Sequence, residues 1–204
     1  MRLRGLYAIT DNQLTPGERL ETSVAAALRG GARIIQYRDK GSDDSRRRRE
    51  AQKLVDLCHS HNALLIINDD VDLAAACGAD GVHLGKEDVD LARARERLGV
   101  QAIIGLSCYN DPERAHRAAQ AGADYIAFGR FFPSRTKPDA SAATLETLSA
   151  ARCELDLPLV AIGGITPDNG GLLIDAGADM LAVIHGVFGQ PDVEMAARRF
   201  AELF

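Results

Sequence analysis

The sequence predicts an α/β fold, a single-domain TIM (β/α)8 barrel over residues 1–204, on three observations. A short unit recurs as Gly31-Ala32-Arg33, Gly78-Ala79-Asp80, Gly122-Ala123-Asp124 and Gly177-Ala178-Asp179, at intervals of 47, 44 and 55 residues. Each unit follows an Ala-rich helical stretch and opens a short apolar run. Eight such runs occur, continuous rather than alternating, as strands buried on both faces should be. A barrel uses about 250 residues for eight βα units, so each interval has room for two. Strands alternating with helices on a right-handed path close into a barrel.

In order, the strand-like runs cover residues 6–10, 34–37, 64–67, 81–84, 102–106, 125–128, 159–162 and 180–184. Helical patterns separate them: Ala51, Leu54, Val55 and Cys58 are spaced along one helix face. The helix starts carry chemical marks. Thr15-Pro16-Gly17-Glu18 offers an N-cap, a first-turn Pro and a capping-box Glu, and Asp111-Pro112-Glu113 and Thr166-Pro167-Asp168 repeat the cap-then-Pro device. Gly30, Gly78, Gly122 and Gly177 stand where a left-handed residue ends a helix. The fourth helix, 91–98, is the weakest unit, because Arg93, Arg95 and Arg97 alternate with apolar residues. An open doubly wound sheet is the alternative architecture. No GxGxxG follows a strand, and Gly85-Lys86 lacks the rest of a phosphate-loop signature.

Composition narrows the function. The chain has 46% hydrophobic and 26% charged residues and a formal net charge of −5, so a general nucleic-acid or membrane-surface binder is a poor reading. No run of about 18 apolar residues would span a bilayer. Cys58, Cys77, Cys108 and Cys153 are widely spaced with no CxxC, which fits reduced thiols in the cytoplasm rather than a disulfide framework or zinc cluster.

In a barrel the site forms at the C-terminal strand ends. Just past the runs come Gln36-Tyr37-Arg38-Asp39-Lys40, Asn68-Asp69-Asp70, His83 to Asp88, Ser107, Gly129 to Lys137, Gly163-Gly164 and His185-Gly186. Glycines after the seventh and eighth strands let backbone amides approach a phosphate, or simply make tight turns. Gln36, Arg38 and Lys40 share a phase, and with Lys137 from another loop they suit a larger anion such as pyrophosphate. Asp69 and Asp88 follow adjacent strands, so that their oxygens together with a bound pyrophosphate imply Mg2+. A glycosidase acid–base pair is the other reading of two carboxylates, but neighbouring Arg and Lys would keep both ionised. Asp70 reads first as a helix cap. The loop 131–138 is long enough to fold over an anion as a lid, or to be a surface loop. Arg46 to Arg49 reads as a solvated face rather than a nucleic-acid tag. His83 and His185 end strands and are open between packing and function. No cysteine has a visible base partner.

These residues carry a family resemblance. Gln36-Tyr37-Arg38-Asp39-Lys40, Ile67-Asn68-Asp69, Val82 to Asp88, Gly105-Leu106-Ser107, Phe128 to Lys137 and Ala161-Ile162-Gly163-Gly164-Ile165 together resemble thiamine-phosphate synthase. The resemblance implies a Mg2+-dependent transferase that joins 4-amino-2-methyl-5-pyrimidinylmethyl diphosphate to 4-methyl-5-(2-phosphoethyl)thiazole, releasing pyrophosphate. It assigns Gln36, Arg38, Lys40, Asn68 and Lys137 to the pyrimidine diphosphate and Asp69 and Asp88 to Mg2+. Ser107 falls near the diphosphate and reacting carbon. Ser134, Thr136, Gly164 and the backbone at Ile184-His185 fall to the thiazole phosphate. Ser107, Lys137 and Arg38 are the expected catalytic groups. The partners are then two small molecules, with no nucleic acid and no membrane, and a homodimer is the assembly to check.

The chemistry agrees with the residue inventory. A thiazole nitrogen attacks with a free lone pair, so charge neutralisation and ring alignment suffice, and no triad is needed. Three positions depart from the usual pattern: His185 stands where a hydroxyl residue is common, Ser134 where Thr is, and Arg130 where Pro is. A thiazole tautomerase on the same fold and a non-catalytic regulatory homologue are the alternatives. Each would be expected to lose the diphosphate and metal set, which this chain keeps.

Overall fold

A computed structural model describes residues 3–85, 90–133 and 142–204. Asp88, Ser134, Thr136 and Lys137 lie outside the described residues. The strands are β1 (Gly5–Ile9), β2 (Ile34–Tyr37), β3 (Leu64–Asn68), β4 (Gly81–Leu84), β5 (Ile103–Tyr109), β6 (Tyr125–Gly129), β7 (Leu159–Ile162) and β8 (Met180–Val183). All pair in parallel with their sequence neighbours, and β1 pairs with β8, closing the barrel. The helices between them are α1 (Arg19–Arg29), α2 (Asp44–Ser60), α3 (Val71–Cys77), α4 (Leu91–Leu98), α5 (Pro112–Gln120), α6 (Leu145–Glu154) and α7 (Pro167–Asp175). A short α8 (His185–Phe188) and α9 (Val193–Ala201) follow β8.

Successive strand residues face opposite sides, and the core divides accordingly. Leu6, Ile35, Leu65, Ile67, Val82, Ile126 and Leu181 face outward and pack with the helices' apolar stripes. Tyr7, Ile9, Ile34, Ile66, Tyr125, Ala127, Val160, Met180 and Ala182 face inward and fill the barrel. Both faces being dry explains why the runs are apolar without alternation.

The recurring Gly-Ala-Asp unit has a three-part job. Gly78, Gly122 and Gly177 take positive φ values of 67°, 88° and 109°. The next residue's amide then reaches back five residues: Ala79 to the Ala74 carbonyl, Ala123 to Ala118, and Ala178 to Leu173. This is the Schellman helix stop. Then the aspartate clamps the preceding strand. Asp80, Asp124 and Asp179 donate their own amides to the carbonyls of Leu65, Ile104 and Leu159. Their carboxylates accept the amides of those same residues at 2.7, 2.8 and 3.0 Å. A basic side chain from the preceding helix region backs each carboxylate: His59, Arg95 and Arg152.

The first copy differs. Gly31, not Gly30, takes the positive φ, at 100°. Gly30 is αR, and its lack of a side chain serves close approach: a Cβ there would collide with the Glu194 carbonyl and the Ala197 side chain of α9. Arg33 occupies the aspartate's place and keeps only the amide-to-Leu6 carbonyl bond.

Three further expectations need correction. α1 begins at Arg19 behind Glu18, not at Thr15, because the Thr15 amide and hydroxyl are both spent on the Asp11 carbonyl in a turn. Arg46 and Arg47 are not simply solvated. Arg46 pairs with Asp39 and Glu50, and Arg47 with Asp44 and Asp70, so they tie α2 to its neighbours. β5 runs three residues past its expected end, through an irregularity between Ser107 and Tyr109. The weak fourth unit is a helix after all. Arg95 supplies its support, donating to the carbonyls of Gly99, Ala102 and Gly122 and pairing with Asp124. As expected, Asp111, Asp70 and Thr166 cap α5, α3 and α7.

Replacing Asp124 by Ala removes the acceptor of the Ile104 amide and the ion-pair partner of Arg95. We expect a loss of about 1–3 kcal/mol in stability, read as a lower urea midpoint at unchanged slope. An unchanged midpoint would show that the clamp carries no stability.

Candidate active site

At the C-terminal strand ends the barrel opens into a cavity of about 400 Å³. Its walls include seven of the expected site residues: Gln36, Arg38, Asn68, Ser107, Gly164, Ile184 and His185. They converge because each stands at or just beyond the end of an inward-facing phase. β2 points Gln36 inward, and the next inward position, Arg38, is held by its amide donating to the Thr10 hydroxyl at 2.9 Å. The Arg38 guanidinium lies 3.8 Å from Asp11. β3 ends on Asn68, whose amide nitrogen donates to the Asp69 carboxylate at 2.6 Å.

Asp69 sits beside this wall in a left-handed conformation, φ 63°, with its amide donating to the His83 carbonyl at 2.8 Å. Asp is among the few side chains that tolerate that region. Its carboxylate also accepts from the Lys40 ammonium. Lys40 is 59% exposed, so it stands at the mouth rather than in the cavity wall. Arg130, the departure from the usual Pro, lines the cavity as well.

Gly163 and Gly164 have φ values of 105° and 64°. A Cβ on Gly163 would run into Arg130, and one on Gly164 into the Pro133 carbonyl. Both glycines therefore let the segment after β6 lie directly on the turn after β7. His185 opens α8, its carbonyl accepting from the Gln190 side-chain Nε2 at 3.1 Å.

Sequence reasoning missed the cavity floor. The Gln36 amide nitrogen donates to the Tyr7 hydroxyl at 2.8 Å. The Tyr7 and Tyr125 hydroxyls are 2.8 Å apart. His83 Nδ1 lies 3.0 Å from the Tyr125 hydroxyl, and its Nε2 lies 2.8 Å from the Ser107 hydroxyl. The His83 ring stacks on Tyr125, and Tyr7 meets Tyr125 edge-on. Burial pushes both phenols well above their ordinary range, so both are neutral. The legible signal was a phenol in a strand buried on both faces, which must find a polar partner.

The residue pattern of the thiamine monophosphate synthase family matches residues 6–187. This chain belongs to that family. It is 54% identical over 202 residues to the thiamine-phosphate synthase of Nitrosococcus oceani, covering 99% of this chain and 93% of that one. It is 38% identical in sequence to the thiamine phosphate pyrophosphorylase of Pyrococcus furiosus, whose solved structure superposes with a TM-score of 0.90 over 98% of this chain and 95% of that one. The thiamine phosphate pyrophosphorylase of Bacteroides thetaiotaomicron, 16% identical, shares the fold with a TM-score of 0.71 over 98% of this chain and 95% of that one. The (β/α)8 barrel of the family is thus the fold seen here.

Among the described residues no group of three or more His, Cys, Asp or Glu is gathered to hold a metal, and no helix is long and apolar enough to cross a membrane. All four cysteines are free. Burial pushes the thiols of Cys58 and Cys108 up to about 12 and about 11, which disfavours the nucleophilic thiolate at both.

Burial also raises the Tyr37 phenol, whose hydroxyl donates to Glu50. Tyr7, Tyr37 and Tyr125 therefore hold protons in the folded chain that an unfolded chain releases near pH 10. Their contribution is whole below about pH 10 and is lost as pH rises beyond it. The urea midpoint should fall as pH is raised above about 10, in step with phenolate absorbance at unfolding. A midpoint that stays level there would contradict the buried phenols. A thiol reagent should label Cys153 in the native chain and the other three only after denaturation.

Proposed function

We propose that this member of the family condenses 4-amino-2-methyl-5-pyrimidinylmethyl diphosphate with 4-methyl-5-(2-phosphoethyl)thiazole, giving thiamine phosphate and pyrophosphate. The observation that carries the reading is the meeting, in one cavity, of Gln36, Arg38, Asn68 and Ser107 from the ends of β2, β3 and β5 with Gly164, Ile184 and His185 from beyond β7 and β8. Two ring-bearing anions need two such walls, and bringing them together removes most of the entropy of their encounter.

In this reading Gln36 and Asn68 orient the pyrimidine, and Arg38, Lys40 and Lys137 pair with diphosphate oxygens. Ser134, Thr136, Gly164 and the backbone at Ile184-His185 hold the thiazole phosphate. The pyrimidinylmethyl C–O bond breaks with its electron pair leaving on pyrophosphate, aided by the ring amino group. The thiazole nitrogen's lone pair then forms the new C–N bond. No proton has to be removed from the nucleophile, so Arg38, Lys137 and Ser107 act by stabilising charge on the leaving group.

Asp69 and Asp88 would hold Mg2+. The Asp69 carboxylate fits such a role: it is a hard oxygen donor beside the cavity that already draws a cationic group, the Lys40 ammonium. Mg2+ is commonly held by one or two carboxylates plus substrate phosphates rather than by an all-protein cage. Bound there, it supplies further neutralisation of the pyrophosphate charge. The proposal locates the reaction in the cytoplasm, where the thiols stay reduced.

Pyrophosphate should appear only when both substrates and Mg2+ are present. Tautomerisation of a thiazole without condensation would replace this reading with the tautomerase. Asp69→Asn, which keeps the left-handed backbone tolerated while removing the charge, should cut turnover by at least about tenfold with the unfolding midpoint nearly unchanged. Wild-type turnover in that variant would remove Asp69 from the metal site. Lys137→Ala should raise KM for the diphosphate substrate, and unchanged kinetics would make Lys137 a surface residue.

A further inference from the structure

The groups beneath the cavity form one chain, Gln36–Tyr7–Tyr125–His83–Ser107, crossing the barrel interior through β2, β1, β6, β4 and β5. Space is cleared for it. A Cβ on Gly105 would collide with the Tyr125 ring, so only glycine leaves room for that ring between β5 and His83. Tyr7 and Tyr125 are each 1% exposed and Gln36 is 3% exposed, so their protons must be satisfied inside the protein.

Proton counting gives the chain a direction. The Gln36 amide nitrogen faces Tyr7, so the Tyr7 oxygen accepts. The Tyr7 proton then goes to its other partner, the Tyr125 oxygen. The Tyr125 proton goes in turn to His83 Nδ1. A neutral imidazole with Nδ1 accepting carries its proton on Nε2, and this proton is donated to the Ser107 oxygen. The reverse direction from Tyr125 onward would leave one phenol proton, that of Tyr125 or of Tyr7, without an acceptor among the described residues. The Ser107 backbone is fixed separately, its carbonyl accepting from Arg114 at 2.9 Å.

We propose that His83 is a positioning residue, locked as its Nε2–H tautomer by Tyr125 and Tyr7, which occupies the Ser107 oxygen so that the Ser107 hydroxyl turns its proton into the cavity. Ser107 then meets an anionic leaving group as a donor. The inference rests on the proposed condensation for what Ser107 does, but its tautomer claim stands without it. The bland alternative is that His83 merely packs against Tyr125.

Two measurements decide the matter. First, 15N shifts of the imidazoles in labelled protein at neutral pH, assigned by comparison with His83→Asn, should show His83 protonated at Nε2. An Nδ1–H tautomer or an imidazolium would overturn the proposal, whatever the enzyme's activity. Second, Tyr125→Phe removes one hydroxyl and keeps the stack. It should lower kcat about tenfold, with KM for the diphosphate changed less than about twofold. In a Ser107→Ala background the same change should alter kcat by less than about twofold, because its effect passes through Ser107. Equal losses in both backgrounds would assign Tyr125 a structural role only and sink the inference. Absence of pyrophosphate release by the unmodified chain would instead refute the proposed reaction and leave the tautomer result standing.

Discussion

A closed ring of parallel strands has no edge, and that one constraint governs the rest of this molecule. Every inward-facing side chain is sealed from the helices, and every strand must start in register with the one before it. The register is fixed from below. Asp80, Asp124 and Asp179 each grip both the amide and the carbonyl of one residue in the preceding strand. The clamp follows directly on the glycine that ends the preceding helix, so helix termination and strand alignment are accomplished within three residues. Once the lower rim is fixed, the positions of the upper strand ends follow from strand length alone, and those ends carry Gln36, Asn68 and Ser107.

The interior changes character from bottom to top. Ile34, Ile66, Val160 and Met180 fill it with apolar volume. Above them comes the layer of Tyr7, Tyr125, His83 and Gln36, polar groups joined by hydrogen bonds. The charged side chains of Arg38, Asp69 and Lys40 stand at the opening. This order is what desolvation demands, since burying an unpaired charge costs far more than burying a satisfied hydroxyl. It also gives the cavity a rigid floor, because each phenol has a partner on both sides.

Much of this was legible in the sequence. Strand boundaries came out within one or two residues for seven strands, because a run that is dry on both faces is sharply bounded. The Gly-Ala-Asp repeat disclosed the unit length, and the residues past each strand disclosed the cavity wall. What escaped depends on partners far along the chain. Gly30 has the ordinary look of a helix stop, and its real constraint lies 164 residues on, at Glu194. Thr15 looks like a cap until Asp11 takes its hydrogen bonds. The run of arginines at 46–49 reads as solvent-facing because Asp39 and Asp70, which hold two of them, lie on other segments. Tyr7 and Tyr125 passed as apolar strand residues, since only closure of the ring brings hydroxyls 118 positions apart to 2.8 Å.

The separation of ions at the mouth from neutral groups on the floor has a consequence for the medium. At physiological ionic strength mobile counterions damp fields beyond about 8 Å, and they reach only what water reaches. Added salt would therefore weaken the pull of Arg38 and Lys40 on a diffusing anion, slowing its capture. The Tyr7–Tyr125 pair below, neutral and with each phenol 1% exposed, offers those ions nothing to screen. Arrival at the protein and handling within it are thus subject to different electrolyte dependence, set by depth in the barrel.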